Sequence, residues 1–178
     1  EQKTISAILF ENNGSSTEGI FLSFYNSKTH RLALIAISDN TRLKVDYEDR
    51  PTYDIVRNLY SKGGIGVARK AIEKLAEIPF EFYVVYDLRD IEMLVDLLEG
   101  VQISSPENLA YSDISRDIFI RLKKGPDMYD GAKVKQLLLY KYGDDGFRSN
   151  MDSRRAFIKS ILGRADDISG LISSSKVN

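Results

Sequence analysis

Between residues 65 and 98 the hydrophobic period of the chain changes twice, and this sets the fold class. Ile65, Ala68, Ile72 and Leu75 recur at helical spacing, with Arg69, Lys70, Glu73 and Lys74 off the stripe. Pro79 stops that helix, and 80–86 (FEFYVVY) is the most β-prone run in the sequence. Ile91, Leu94, Val95 and Leu98 then return to helical spacing, and Gly100 lies just past them as a C-cap. Helix, strand and helix in close succession imply a sheet covered by helices.

The front of the chain reads as strands. Runs 19–25 (GIFLSFY) and 31–37 (RLALIAI) are joined by NSKTH, a length that suits an antiparallel hairpin. The runs 5–10 (ISAILF) and 32–37 are apolar almost throughout, as expected for strands covered on both faces. The stretch 38–51 reads as polar and irregular. Short strands follow at 101–103 and 118–122. Asp130-Gly131 opens a helix carrying Val134, Leu137 and Leu138. A last helix, N-capped near Asn150 or Asp152, carries Met151, Arg154, Ile158 and Ile161. The expected fold is a mixed α/β, three-layer α-β-α sandwich around a central mixed sheet. It forms one domain over 1–163, followed by a flexible Ser- and Gly-rich tail at 164–178.

Composition narrows the chemistry. The 178 residues hold 25 Lys and Arg against 26 Asp and Glu, a net charge of −1 that argues against a general nucleic-acid binder. There is no cysteine, which excludes thiol catalysis, Cys-based zinc sites and disulfides. His30 is the only histidine and falls between two strand-like runs, so it reads as a solvated turn residue rather than a triad member. No apolar run approaches the ~18 residues of a membrane span.

Few motifs survive scrutiny. Ser61-Lys62-Gly63-Gly64-Ile65-Gly66 resembles a phosphate-cradling loop but lacks GxxxxGK[ST] and a preceding strand, so a helix-to-helix turn is the better reading. Asp144-Asp145, Asp166-Asp167 and Asp46-Glu48-Asp49 read as solvated charge, having no EF-hand spacing. Lys141 stands out, because it continues the apolar stripe of Val134, Leu137 and Leu138. Arg154 likewise shares a stripe with Met151, Ile158 and Ile161. Such cations snorkel to solvent or meet an anion, and two on consecutive helices suggest a shared one.

Several phrases, in order, resemble the LytR–CpsA–Psr family of bacterial envelope proteins over nearly all of 5–163. Residues 72–86 (IEKLAEIPFEFYVVY) match the family's V-E-x-L-L-G-I-P-I-D-Y-Y-V-x-V. Residues 94–101 (LVDLLEGV) match L-V-D-x-L-G-G-V, and 122–134 (LKKGPDMYDGAKV) match L-x-x-G-x-x-x-L-D-G-x-x-A. Residues 60–64 (YSKGG) stand for Y-x-x-G-G, and the hairpin 26–41 stands where the family has V-T-L-L-S-I-P-R-D-T. The resemblance implies transfer of polyprenyl-phosphate-linked glycopolymers onto peptidoglycan. It also implies arginines and an aspartate-held Mg2+ on the lipid pyrophosphate, and an apolar groove for the prenyl tail. An extracytoplasmic domain tethered by a helix upstream of Glu1 is implied as well.

The family's charged positions are altered here. Its I-P-R-D-T arginine is replaced by Asp39, and the aspartate of D-T-I falls on Glu18, the metal candidate. R-Y-R becomes Leu139-Tyr140-Lys141, and the arginines of G-R-x-x-R-Q fall on Asn150 and Ser153. Lysine keeps the charge but loses the bidentate fork. The remaining phosphate-binding candidates are Lys141, Arg148, Arg154 and Arg57, with no catalytic residue assigned. Two functions follow: a catalytically altered module that binds a polyprenyl lipid or an envelope protein, or a Mg2+-dependent phosphotransferase with a remodelled site.

Overall fold

The computed structural model describes residues 4–14, 16–29, 31–48, 50–105, 107–116, 118–140 and 146–164. They form two compact units that divide between Asp87 and Leu88.

The first unit contains β1 (Thr4–Asn12), β2 (Thr17–Asn26), β3 (Arg31–Ile37), β4 (Arg42–Tyr47), β5 (Arg50–Ile55), α1 (Val56–Ala76) and β6 (Phe82–Tyr86). A four-stranded sheet runs in the order β3-β2-β1-β6. The hairpin expected from NSKTH is present, with Asn26 opposite Arg31. Strand β6 joins β1 in parallel, Ala7 opposite Phe82, so the sheet is mixed, and the expected mixed α/β class holds. Crossing from β1 to a parallel neighbour needs a long connection, which the stretch containing α1 supplies. Ile8, Phe10, Ile20 and Leu22 from the sheet are buried with Leu59, Ala68 and Ile72 of the helix in one core. The loop at Gly64 (φ 66, ψ −176) interrupts α1, so the expected helix-to-helix turn lies inside a kinked helix.

Two expectations for this unit need correction. The stretch 38–51 is not irregular throughout. Its R-L-K-V-D-Y segment alternates along β4, which buries Leu43 and Val45 and pairs antiparallel with β5. Strand β3 is not covered on both faces: it is an edge strand, and Ile35 is 53% exposed. Helix α1 begins at Val56, before the expected turn, and Val56 and Leu59 are both buried in the core.

The second unit contains α2 (Leu88–Leu97), β7 (Val101–Ser105), β8 (Leu109–Asp113), β9 (Ile118–Leu122), β10 (Gly125–Tyr129), α3 (Gly131–Leu139) and α4 (Gly146–Leu162). Antiparallel pairs β7–β10 and β8–β9 extend the two strands expected here by one partner each. Val95, Val101, Tyr129, Val134, Leu138 and Phe157 share its core. The expected N-cap of α3 is present: Asp130 accepts the Lys133 N–H at 2.8 Å. Asp96 on α2 accepts the Gly131 N–H, also at 2.8 Å, which ties the two helices together. Helix α4 starts at Gly146, four residues before the earlier of the expected caps. Asp152 lies inside it and pairs with Arg155 at 3.0 Å instead of capping it. The tail from residue 165, His30, Asp49 and the two Asp pairs at 144–145 and 166–167 lie outside the described residues.

Candidate functional site

In the first unit, polar groups gather at one end of the sheet, where β1 and β6 finish and β2 begins. The pairing Glu11–Gly19 changes to Asn12–Thr17, so the register shifts at Glu18. A one-residue bulge of this kind re-aims a side chain and is common beside functional sites. Glu18 Oε1 accepts the Asn13 side-chain amide at 2.5 Å and the Ser16 hydroxyl at 3.1 Å. Asn13 in turn accepts the Ser16 N–H at 3.0 Å, an Asx-type turn that fixes the loop. Glu11 is buried, and its Oε2 accepts the Tyr86 hydroxyl at 3.4 Å. Asn12 and Thr17 are buried as well, and neither side chain has a hydrogen-bond partner among the described residues. Orphaned buried polar atoms cost stability and ask for a reason.

Arg57 lies beside this cluster, on the first turn of α1. Its Nε donates to Asp39 Oδ2 at 3.0 Å, and its Nη2 donates to the same oxygen. That hydrogen bond and the Asp39 charge, with Glu18 adding a smaller attraction, raise the Arg57 pKa above its already high ordinary value. The Arg57 N–H also donates to the Asp39 carbonyl at 2.9 Å, and the Val56 N–H to the Thr41 carbonyl at 3.0 Å. The turn after β3 is thereby bound to the start of the helix. Among the described residues no group of three or more His, Asp or Glu side chains closes into a metal cage.

The second unit holds a cavity of about 460 Å³, within the size range of small-ligand pockets. Ile103, Leu109, Leu137 and Ala156 form its apolar wall, and Ser105, Glu107, Tyr140, Asp152 and Ser153 supply polar groups. Arg154 is not among the residues lining it. Only 4% exposed, it donates from Nη1 to the Leu138 carbonyl at 3.4 Å, at the C-terminal end of α3, where a cation is favoured. Lys141 lies outside the described residues, and Arg148 is known only as a position on the first turn of α4. Of the sequence candidates, Glu18 and Arg57 are brought together. Asp39, read in the sequence as a lost arginine, proves to be Arg57's partner. The loop residues Asn13, Ser16 and Glu107 gave no sequence signal beyond polarity, and Asp152 stood out only as a candidate helix cap.

No described helix is long and apolar enough to cross a membrane. Among curated proteins, the chain is 26% identical over 136 residues to regulatory protein MsrR of Staphylococcus aureus, covering 74% of this chain and 38% of that protein. It is 23% identical over 150 residues to the polyisoprenyl-teichoic acid–peptidoglycan teichoic acid transferase TagU of Bacillus subtilis, covering 82% of this chain and 45% of the transferase. The chain thus spans less than half the length of either relative. Among solved structures, the B. subtilis protein TagT with bound octaprenyl pyrophosphate lipid shares the fold at a TM-score of 0.66 and 20% identity, over 87% of this chain and 63% of that one. The LytR_cpsA_psr family matches residues 10–178, and the chain belongs to that family.

Proposed function

We propose that this domain binds a polyprenyl-phosphate-linked lipid at the bacterial cell envelope, and that its phosphotransfer chemistry is altered. The observation that carries this reading is the 460 Å³ cavity of the second unit. Its apolar wall suits a prenyl chain, while Ser153, at a position where the family has an arginine, puts a hydroxyl in place of a guanidinium. Losing one charge-stabilising donor costs roughly 10²–10³ in rate, and Leu139, Asn150 and Ser153 all stand where the family has arginines. The lipid-bound relative TagT and the transferase TagU support the choice of ligand class.

Magnesium fits the cluster in the first unit. The ion is ordinarily held by one or two carboxylates and completed by phosphate oxygens and water. Glu18 offers the carboxylate, and the orphaned Asn12 amide and Thr17 hydroxyl offer neutral oxygens. A bound magnesium would neutralise phosphate charge. The protein's own task is to hold Glu18 in place through Asn13 and Ser16. By analogy with the family, the domain faces outward from the cytoplasmic membrane, and an envelope protein is the other partner class.

A titration with a fluorescent polyprenyl pyrophosphate, followed by a transfer assay with Mg2+ and a polyprenyl-linked glycopolymer, tests the proposal. Saturable binding with turnover at least a hundredfold below TagU is the expected result. Turnover equal to TagU's that is abolished by Lys141→Ala would overturn the altered-chemistry reading in favour of a remodelled transferase. Failure to bind any polyprenyl lipid would overturn the ligand assignment.

A further inference from the structure

We infer that the β8–β9 hairpin of the second unit is a docking surface for an anionic lipid bilayer. Ile114 and Phe119 enter the interface, and Arg121, Lys123 and Lys124 hold the headgroups. The inference goes beyond the lipid reading above and does not rest on what fills the cavity.

The hairpin has one buried face and one open face. Leu109, Ile120 and Leu122 enter the core of the second unit. Ser112 pairs with Phe119 and Ala110 with Arg121, so these four side chains share the opposite face, where Phe119 is 54% exposed. Ile114 stands in the turn Ile114–Arg116 at the tip and is 84% exposed, the highest value among the described large hydrophobic residues. A single exposed apolar side chain is ordinary. Here two stand at one end of a hairpin whose surroundings are basic. Arg121 lies two residues from Phe119 on the same face, and Lys123 and Lys124, both exposed, follow the strand. The stretch 109–124 sets Arg116, Arg121, Lys123 and Lys124 against Asp113 and Asp117, a local basic excess in a chain of net charge −1. Asp113 alternates with Ser112 and so turns away from the open face, and its Oδ1 accepts the Ser115 N–H at 3.0 Å and the Ser115 hydroxyl at 2.6 Å. The turn thereby satisfies donors of its own, which lowers the cost of taking it out of water. Apolar side chains at a tip with cations behind them suit a bilayer, whose acyl boundary takes the first and whose anionic headgroups take the second. An acidic polymer matches the charge but gives Ile114 and Phe119 nothing to enter. Leu109, at the foot of the same hairpin, lines the cavity, so docking here sets that cavity beside the bilayer.

Flotation of the full chain with vesicles tests the surface. One set is equal parts phosphatidylcholine and phosphatidylglycerol and the other is phosphatidylcholine alone; neither holds a polyprenyl lipid, so the outcome is separate from the cavity reading. Wild type binds the anionic vesicles at low salt, is released at high salt and does not bind the neutral ones. The variant Arg121→Gln, Lys123→Gln, Lys124→Gln weakens binding about a hundredfold, at roughly fivefold for each cation near an anionic surface. Ile114→Ser with Phe119→Ser weakens it at least about tenfold. Both positions are exposed, so the thermal unfolding of that variant matches wild type. The chain has no cysteine, so Ile114→Cys carries one environment-sensitive dye, whose emission shifts to the blue on the anionic vesicles. Failure of wild type to bind those vesicles, or binding that either set of substitutions leaves unchanged, overturns the proposal. Where only the serine pair binds as wild type and the dye stays in water, the bilayer is replaced by an acidic polymer as the partner.

Discussion

Asp54 is the most heavily hydrogen-bonded carboxylate among the described residues for which distances are given, and it holds the β4–β5 hairpin against the start of α1. Its oxygens accept the Lys62 ammonium at 2.7 Å, the Asn58 amide at 2.8 Å, the Ile55 N–H at 2.8 Å and the Tyr47 hydroxyl at 3.2 Å. Burial by itself would raise the Asp54 pKa, but these four donors outweigh it and hold the value at about 2, against an ordinary 3.8. The side chain is only 11% exposed, so solvent screening removes little of the effect. Each pKa unit is worth about 1.36 kcal/mol, so this carboxylate contributes roughly 2 kcal/mol of pH-dependent stability. The sign follows from proton binding. Between the two pKa values the unfolded chain binds the proton and the folded chain does not. The contribution is therefore complete above about pH 4 and is lost as the pH falls toward about 2. Asp54→Asn keeps the shape and removes the titration. Urea unfolding of both forms across that acid range is the assay, because other groups titrate in both and cancel in the difference. The stability gap between wild type and Asp54→Asn should close by about 2 kcal/mol as the pH falls. A gap that stays constant would refute the assignment of the shift to this network.

Two further substitutions test the backbone. Gly131→Ala puts a Cβ 2.3 Å from the Glu92 carbonyl and 2.8 Å from Asp96 Oδ1, so α2 and α3 must separate. A loss of about 1–3 kcal/mol in thermal or chemical unfolding is expected, and no loss would mean that the helices slide apart freely. Gly64→Ala meets no atom within 4 Å, yet its φ of 66 with ψ of −176 is a conformation essentially reserved for glycine. It should cost about 1–3 kcal/mol through strain alone, and a neutral or stabilising result would show that α1 straightens instead of keeping its kink.

Local elements were legible from the chain because their causes lie within a few residues. The stripe of Ile91, Leu94, Val95 and Leu98, the Asp130 cap and the NSKTH hairpin each depend on neighbours close in sequence. Errors arose where a local preference met a distant partner. Asp152 has the chemistry of an N-cap but sits inside α4. The segment from Arg42 to Tyr47 looks polar because only every second residue is apolar, and its strand character depends on the core that Leu43 and Val45 enter. The candidate site was legible as a set of residue types and not as a geometry. Glu18 and Arg57 stood out in the sequence, but the bulge at Glu18 depends on register with β1, which no local pattern specifies.

The amino-acid sequence by itself determined the class of the fold, the family and the absence of thiol or imidazole-cluster chemistry, since periodicity, phrase order and composition are properties of the chain alone. Tertiary structure decided which charges meet. Asp39 and Arg57 lie 18 residues apart and are joined because β3 ends where α1 begins. Arg154, an apparent phosphate ligand on a helix stripe, turns inward to the carbonyl of Leu138, 16 residues away. The physical reason is the same in both cases. A charged side chain takes the partner that the packed backbone brings within hydrogen-bonding distance, and that choice is made only when the elements dock.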